Sequence, residues 1–141
     1  MNITENLSDI SLHYFALVRQ LSSKFELTLS QALVVLYIPF EGITISELSQ
    51  KLGIDISTMT RNIQRIEKKE LITREKNLND RRSTKLLLSK RGTDISNSLT
   101  LEISQHIENI LNKYNLENSH QIHNNLEHFS WELYLYREKL K

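Results

Sequence analysis

Apolar residues recur along most of this chain at the alternating four- and three-residue spacing of a helix face. Ile3, Leu7, Ile10, Tyr14, Leu17 and Leu21 form one such stripe, which predicts an amphipathic helix over about residues 5–25. Ala32–Ile38 is apolar nearly all round, the pattern of a buried helix; Thr28 or Ser30 can cap it, and Pro39 and Gly42 end it. Thr44-Ile45-Ser46-Glu47 has the form of a capping box, in which hydroxyl and carboxylate satisfy each other's free backbone N–H groups. Ile45, Leu48 and Leu52 then give a short apolar face that Gly53 closes. Asp55 offers a new N-cap almost at once, and Ile56, Met59, Ile63 and Ile66 follow at helical spacing. Two short helices joined by Gly53-Ile54-Asp55 pack steeply, as in a helix-turn-helix, with Ile56, Met59, Ile63 and Ile66 holding the second helix to the body.

The period then changes. Residues 71–75 and 84–88 read as two short strands around a polar, basic tip at about 76–83 containing Asn77, Asn79 and Asp80, which is a β-hairpin. Ser89 can cap a long helix with Ile95, Leu99, Ile103, Ile107, Ile110 and Tyr114 on one side, broken at Asn115–Ser119. A last helix carries Ile122, Leu126, Phe129, Leu133, Tyr136 and Leu140. The expected fold class is mainly α with a small β-hairpin wing.

Composition narrows the class. With 141 residues, three glycines, one proline and no cysteine, a single domain is expected, and disulfides, Cys-based zinc ribbons and thiol switches are excluded. Glu5 and Asp9 precede any apolar run, so no secretory signal is expected; the longest apolar stretch, Ala32–Phe40, is interrupted by Pro39 and too short for a bilayer. These features predict a cytoplasmic protein without a membrane partner. The net charge of +1 conceals a strong asymmetry: Arg61–Arg91 holds eleven basic residues against four acids, a net of +7, and the remainder nets −6. A basic central third suggests a polyanion-binding face.

Helix, helix, capped short helix, tight turn, second helix and basic hairpin, in that order, make a winged helix-turn-helix. The major groove of B-DNA admits a helix and distinguishes all four base pairs, so the second helix of the pair, about 56–69, is the reading element. Ser57, Thr58, Thr60 and Arg61 are placed to face the bases, with Gln64 and Arg65 further along. Arginine can take guanine bidentately, and the wing, with Arg74 at its base and Arg81 and Arg82 at its tip, can reach the adjacent minor groove.

Thr44-Ile-Ser-Glu-Leu-Ser-Gln-Lys-Leu-Gly53, Ser57-Thr-Met-Thr-Arg61, Arg65-Ile-Glu-Lys-Lys-Glu-Leu-Ile72 and Asn79-Asp-Arg-Arg82 through Leu88-Ser-Lys-Arg-Gly92 together resemble the MarR family of bacterial winged-helix transcriptional regulators, in register over nearly the whole chain. The family's wing signature, Asp-x-Arg, is met by Asp80 and Arg82; the resemblance implies that Asp80 braces the wing by pairing with arginine and that a wing arginine enters the minor groove. Ser49 stands where a small apolar residue is common, Asn62 where an apolar one is, and Glu70 where the family often has a glycine helix stop. The family's terminal helices interlock in a two-fold dimer, which implies that about 3–25 and 93–141 are dimerisation helices around a winged part at about 28–92. Ile10, Tyr14, Leu17, Phe129, Leu133, Tyr136 and Leu140 are the implied interface. Two reading helices would then meet half-sites roughly 34–36 Å apart on a pseudo-palindromic double-stranded DNA operator.

The expected function is therefore a homodimeric, sequence-specific transcriptional regulator, a repressor, with no cofactor. A small-molecule effector is a family expectation; Phe15, Tyr37 and Phe40 are aromatic residues in the relevant region but fit a core equally, and no site is assigned to them. Some relatives bind zinc, and His120 and His123 stand three apart with Glu117, Glu127, His128 and His106 near. They complete no recognisable ligand set, so no metal site is assigned and a metal-responsive regulator remains an alternative. Another is a winged-helix adaptor that contacts protein instead of DNA. No phosphate loop, nucleophile elbow or His-Glu-x-x-His motif points to an enzyme.

Overall fold

The computed structural model describes residues 1–113 and 119–141. These fall into two units, Met1–Ser104 and Gln105–Lys141. In the first, α1 (Ile3–Ser22) runs into a single 3-10 turn, Ser23–Phe25, followed by α2 (Leu29–Tyr37). Next come β1 (Ile43–Thr44), α3 (Ile45–Leu52), α4 (Ile56–Lys68), β2 (Ile72–Lys76) and β3 (Thr84–Leu88). The long helix α5 (Lys90–Lys113) starts in this unit and ends in the second, which also holds α6 (Ser119–Lys139).

Local chemistry sets the helix starts. Asn2 with Glu5, Thr28 with Gln31 and Thr44 with Glu47 each form a complete capping box, so α1, α2 and α3 begin where both orphan N–H groups are satisfied. Thr28, not Ser30, is therefore the cap of α2. Ser30 instead accepts a hydrogen bond from Asn62 Nδ2 at 2.8 Å, which explains a polar residue buried on the inner face of α4. Ser49, the other polar substitution in this core, is buried with its hydroxyl unpartnered. Nothing in the structure explains it.

The core of the first unit gathers Val18, Val34, Val35, Leu48, Met59, Ile63, Ile66, Leu71, Leu86 and Leu99, joining α1 through α5 around the sheet. That sheet has three antiparallel strands in the order β1-β3-β2, with Ile43 and Arg74 flanking Leu86 from either side. β1 is two residues long, too short to leave a period-2 pattern, and exists because β3 offers it an edge. One expectation is corrected: Ile56 does not help hold α4 to the body. As the first residue of α4 it is 57% exposed, ahead of the turn that contacts the core.

The wing's root is fixed by Ser89 and Gly92. Ser89 N–H donates to the Leu71 carbonyl (2.9 Å), while its hydroxyl donates to the Glu70 carbonyl (2.7 Å) and accepts the Gly92 N–H (3.0 Å), capping α5. Gly92 lets helix and strand meet, because a Cβ there would lie 2.0 Å from the Leu71 carbonyl oxygen. Glu70 adopts a left-handed φ of 58°, the conformation a glycine stop would take without strain.

Within the second unit no side chain of α6 is buried, and Trp131 and Tyr134 lie against each other with ring centroids 5.5 Å apart. Ser119 begins α6 rather than ending the break before it, and Leu140 lies one residue beyond the helix. Tyr114 and the rest of the expected break, 115–118, lie outside the described residues. Among the described residues, no helix is long and apolar enough to cross a membrane.

Candidate nucleic-acid interface

The turn before α4 is built from two features. Gly53 takes φ 65° at the end of α3, and Ile54 N–H reaches back to the Ser49 carbonyl at 3.0 Å, satisfying a free helix-end carbonyl. Asp55 then caps α4, its carboxylate accepting from Thr58 N–H (2.8 Å), Ser57 Oγ (2.5 Å) and Thr58 Oγ1 (2.6 Å). The Ser57 hydroxyl above all, then the Thr58 hydroxyl and N–H, hold the Asp55 carboxyl far below its usual range.

Burial of Met59, Asn62, Ile63 and Ile66 turns the opposite face of α4 outward. Ser57, Arg61, Gln64, Arg65 and Lys68 are exposed there, one helical stripe. The guanidinium groups of Arg61 and Arg65 have no hydrogen-bond or ion-pair partner among the described residues. The three hydroxyls differ from them: Ser57 and Thr58 donate to Asp55, and Thr60 donates to the Ile56 carbonyl at 2.8 Å. A hydroxyl has a single proton, so each must give up its internal bond before it donates to a phosphate or a base.

Arg74 and Glu67 form a bidentate pair, with Arg74 Nε and Nη2 donating at 2.5 and 2.9 Å, which couples β2 to α4. The Arg74 hydrogen bond holds the Glu67 carboxyl below its usual range, and Glu67 raises the arginine in turn. Arg74 thus aims the wing and is the one expected DNA contact that an ion pair already engages. Two residues on separate elements leave no periodic trace, so this pair was not legible in the sequence.

The wing tip is ordered by its own side chains. Asn77 N–H donates to the Ser83 carbonyl (3.1 Å) and Asn77 Nδ2 to Ser83 Oγ (2.9 Å), closing the hairpin. Asp80 Oδ1 accepts Arg82 N–H at 3.0 Å, and the Asp80 carbonyl accepts Ser83 N–H at 3.1 Å. The Asp80 brace therefore acts on backbone: a correction to the expected pairing with an arginine side chain, since at a two-residue spacing the carboxylate reaches the main-chain N–H of a tight turn. The Arg81 and Arg82 side chains are exposed, with no hydrogen-bond or ion-pair partner among the described residues. The tip is also less polar than its sequence suggested, for Leu78 is 96% exposed within it.

The remaining expected residues lie on the terminal helices, with Leu140 just past the end of α6. On α1, Ile10 is exposed while Tyr14 and Leu17 are half-buried; Phe129, Leu133, Tyr136 and Leu140 are all exposed. Tyr14 and Tyr37 line a cavity of about 240 Å³ with Leu36, Thr100, Ile103 and Ser104. Burial, reinforced by Tyr37, raises the Tyr14 hydroxyl pKa. Phe15 lies against Tyr14 (ring centroids 5.9 Å apart) and Phe40 is fully exposed, so of the three aromatics considered only Tyr37 lines this cavity. His123 Nε2 approaches Glu127 at 3.9 Å, and no three His, Asp or Glu side chains converge among the described residues. Glu117 lies outside them.

Residues 27–84 match the family model described as the MarR family. No curated protein sequence matches the chain. Among solved structures, the fold is that of apo MarR from E. coli, at TM-score 0.72 and 23% identity, covering 81% of this chain and 85% of that one. The transcriptional regulator SlyA superposes at TM-score 0.83 with 16% identity over the full length of both chains. An S. aureus MepR–DNA complex superposes at TM-score 0.74 with 18% identity, covering 94% of this chain and 98% of that one.

Proposed function

Because residues 27–84 match the MarR-family model within a winged-helix fold, we propose a sequence-specific DNA-binding transcriptional regulator, a repressor that acts as a homodimer on a pseudo-palindromic operator. The observation that carries this reading is the placement of unpaired arginines at both places a winged helix offers to DNA. Arg61 and Arg65 lie on the outer face of α4, and Arg81 and Arg82 at the wing tip. Buried neighbours hold α4 rigid, and the Glu67–Arg74 pair joins it to the wing, so both contact elements belong to one pre-formed surface. That a protein similar in fold, MepR, was crystallised as a DNA complex supports a DNA-binding role.

In this reading α4 enters the major groove. Arg61 and Gln64 face base edges, while Arg65, Ser57, Thr58 and Thr60 take phosphates or bases once the hydroxyls turn from their internal acceptors. Arg81 and Arg82 enter the minor groove, with Asp80 and Arg74 positioning them. The terminal helices, through Ile10, Tyr14, Leu17, Phe129, Leu133, Tyr136 and Leu140, join two copies so that two reading helices face one side of the duplex. A small-molecule effector would fit the cavity beside Tyr14 and Tyr37.

The test is fluorescence anisotropy on the chain's own promoter region across a salt series, with a scrambled duplex as control. Specific binding whose log affinity falls steeply with log salt is expected. Arg81→Ala and Arg82→Ala should each weaken binding about ten-fold or more without altering oligomeric state. Arg61→Ala should also relax base preference, by about 1–3 kcal/mol at its contacted position. Unchanged affinity in all three variants would overturn the assigned roles.

A further inference from the structure

Leu78 has no structural use within the described residues. It is 96% exposed at the wing tip, in a turn that Asn77, Asn79 and Asp80 already supply with turn-forming side chains. Its backbone is nevertheless held. Asn79 N–H donates to Asn77 Oδ1 at 3.1 Å, closing a loop around Leu78, and Asn77 is itself tied to Ser83 across the hairpin. An apolar side chain is thus presented to solvent by an ordered turn, three and four residues from Arg81 and Arg82, whose guanidinium groups have no partner among the described residues.

Where those arginines go, Leu78 goes too. Their charge draws the tip to a phosphate-walled groove, yet a leucine gains nothing from phosphates or from the water that covers them. The apolar surfaces within reach of a wing in the minor groove are the deoxyribose walls and, deeper, the faces of the bases. Resting on the DNA-binding reading above, we propose that Leu78 is an apolar wedge that enters the minor groove with the wing arginines, loosens the stacking of one base step and bends the duplex away from the wing. Pyrimidine–purine steps unstack most readily, so the wedge reads sequence by deformability at a step that no hydrogen bond specifies.

The experiment uses the full chain and a duplex recovered with it by selection from a random-sequence pool. 2-Aminopurine replaces adenine at the pyrimidine–purine steps flanking each half-site, and the duplex ends carry a donor and an acceptor dye. The wild-type chain should raise 2-aminopurine fluorescence at one step per half-site and raise energy transfer between the ends. Leu78→Ser should abolish both signals and weaken binding about ten-fold, which is about 1.4 kcal/mol, and Leu78→Met should restore them. A Leu78→Ser complex that bends and unstacks like wild type overturns the wedge alone, as does a wild-type complex with neither signal. Recovery of no duplex by the wild-type chain overturns the DNA-binding reading and the wedge with it.

Discussion

Gly92 and Glu70 flank the same junction and make opposite predictions. At Gly92 a Cβ would approach the Leu71 carbonyl oxygen to 2.0 Å, and that clash is with backbone, not with the far end of a flexible side chain. Gly92→Ala should therefore destabilise the fold by about 3 kcal/mol or more, measured by urea denaturation. Glu70 holds a left-handed φ of 58°, which costs a residue with a Cβ about 1–2 kcal/mol relative to glycine. Glu70→Gly should stabilise by about 1 kcal/mol in the same measurement; a loss of stability would mean that the carboxylate makes a contribution its exposed position does not reveal. Both residues stand out in the sequence, one as a glycine opening a helix and the other as an acid in place of a glycine stop. The carbonyl that Gly92 faces comes from twenty-one residues earlier, and only the folded chain identifies it.

Among the elements, α3 and α4 start at caps that include a carboxylate with a depressed pKa. Glu47 is held below its usual range chiefly by hydrogen bonds at Thr44, and Asp55, ordinarily titrating near 3.8, is depressed by Ser57 and Thr58. A carboxylate with a depressed folded pKa adds stability above its unfolded value and loses it as pH falls through the folded one. Stability should thus decline as the pH drops below about 5, and Asp55→Asn should make that decline shallower while keeping a capping side chain. Urea midpoints for both proteins across the acid range check this; parallel curves would remove Asp55 from the account. The Thr44–Glu47 capping box was readable because cap and partner lie three residues apart. β1 and the Glu67–Arg74 pair were not, because each joins segments that become neighbours only after folding.

For the molecule as a whole, the apolar stripes on α1, α5 and α6 outrun the core. Ile95, Leu99 and Ile103 of α5 are buried while Ile107 and Ile110, on the same stripe, are not, and Leu133 of α6 is 56% exposed. Under the dimer proposal these surfaces are covered by a second copy. Leu133→Glu should then raise the dimer dissociation constant at least about ten-fold, about 1.4 kcal/mol, and weaken operator binding while the winged helix stays folded. Sedimentation at two concentrations reads the first effect; an unchanged mass would sink that interface. Sequence alone determined the helix faces, the capped turn of the helix-turn-helix and the basic hairpin after it, because each depends on periodicity or on groups a few residues apart. Tertiary structure decided which polar groups are already engaged. It committed the Arg74 guanidinium to Glu67, left Arg61, Arg65, Arg81 and Arg82 without a partner among the described residues, and exposed Leu78 at the tip. The Ser57, Thr58 and Thr60 hydroxyls find their acceptors two to four residues away along the chain, whereas the Arg74 guanidinium meets Glu67 only because packing brings β2 against α4.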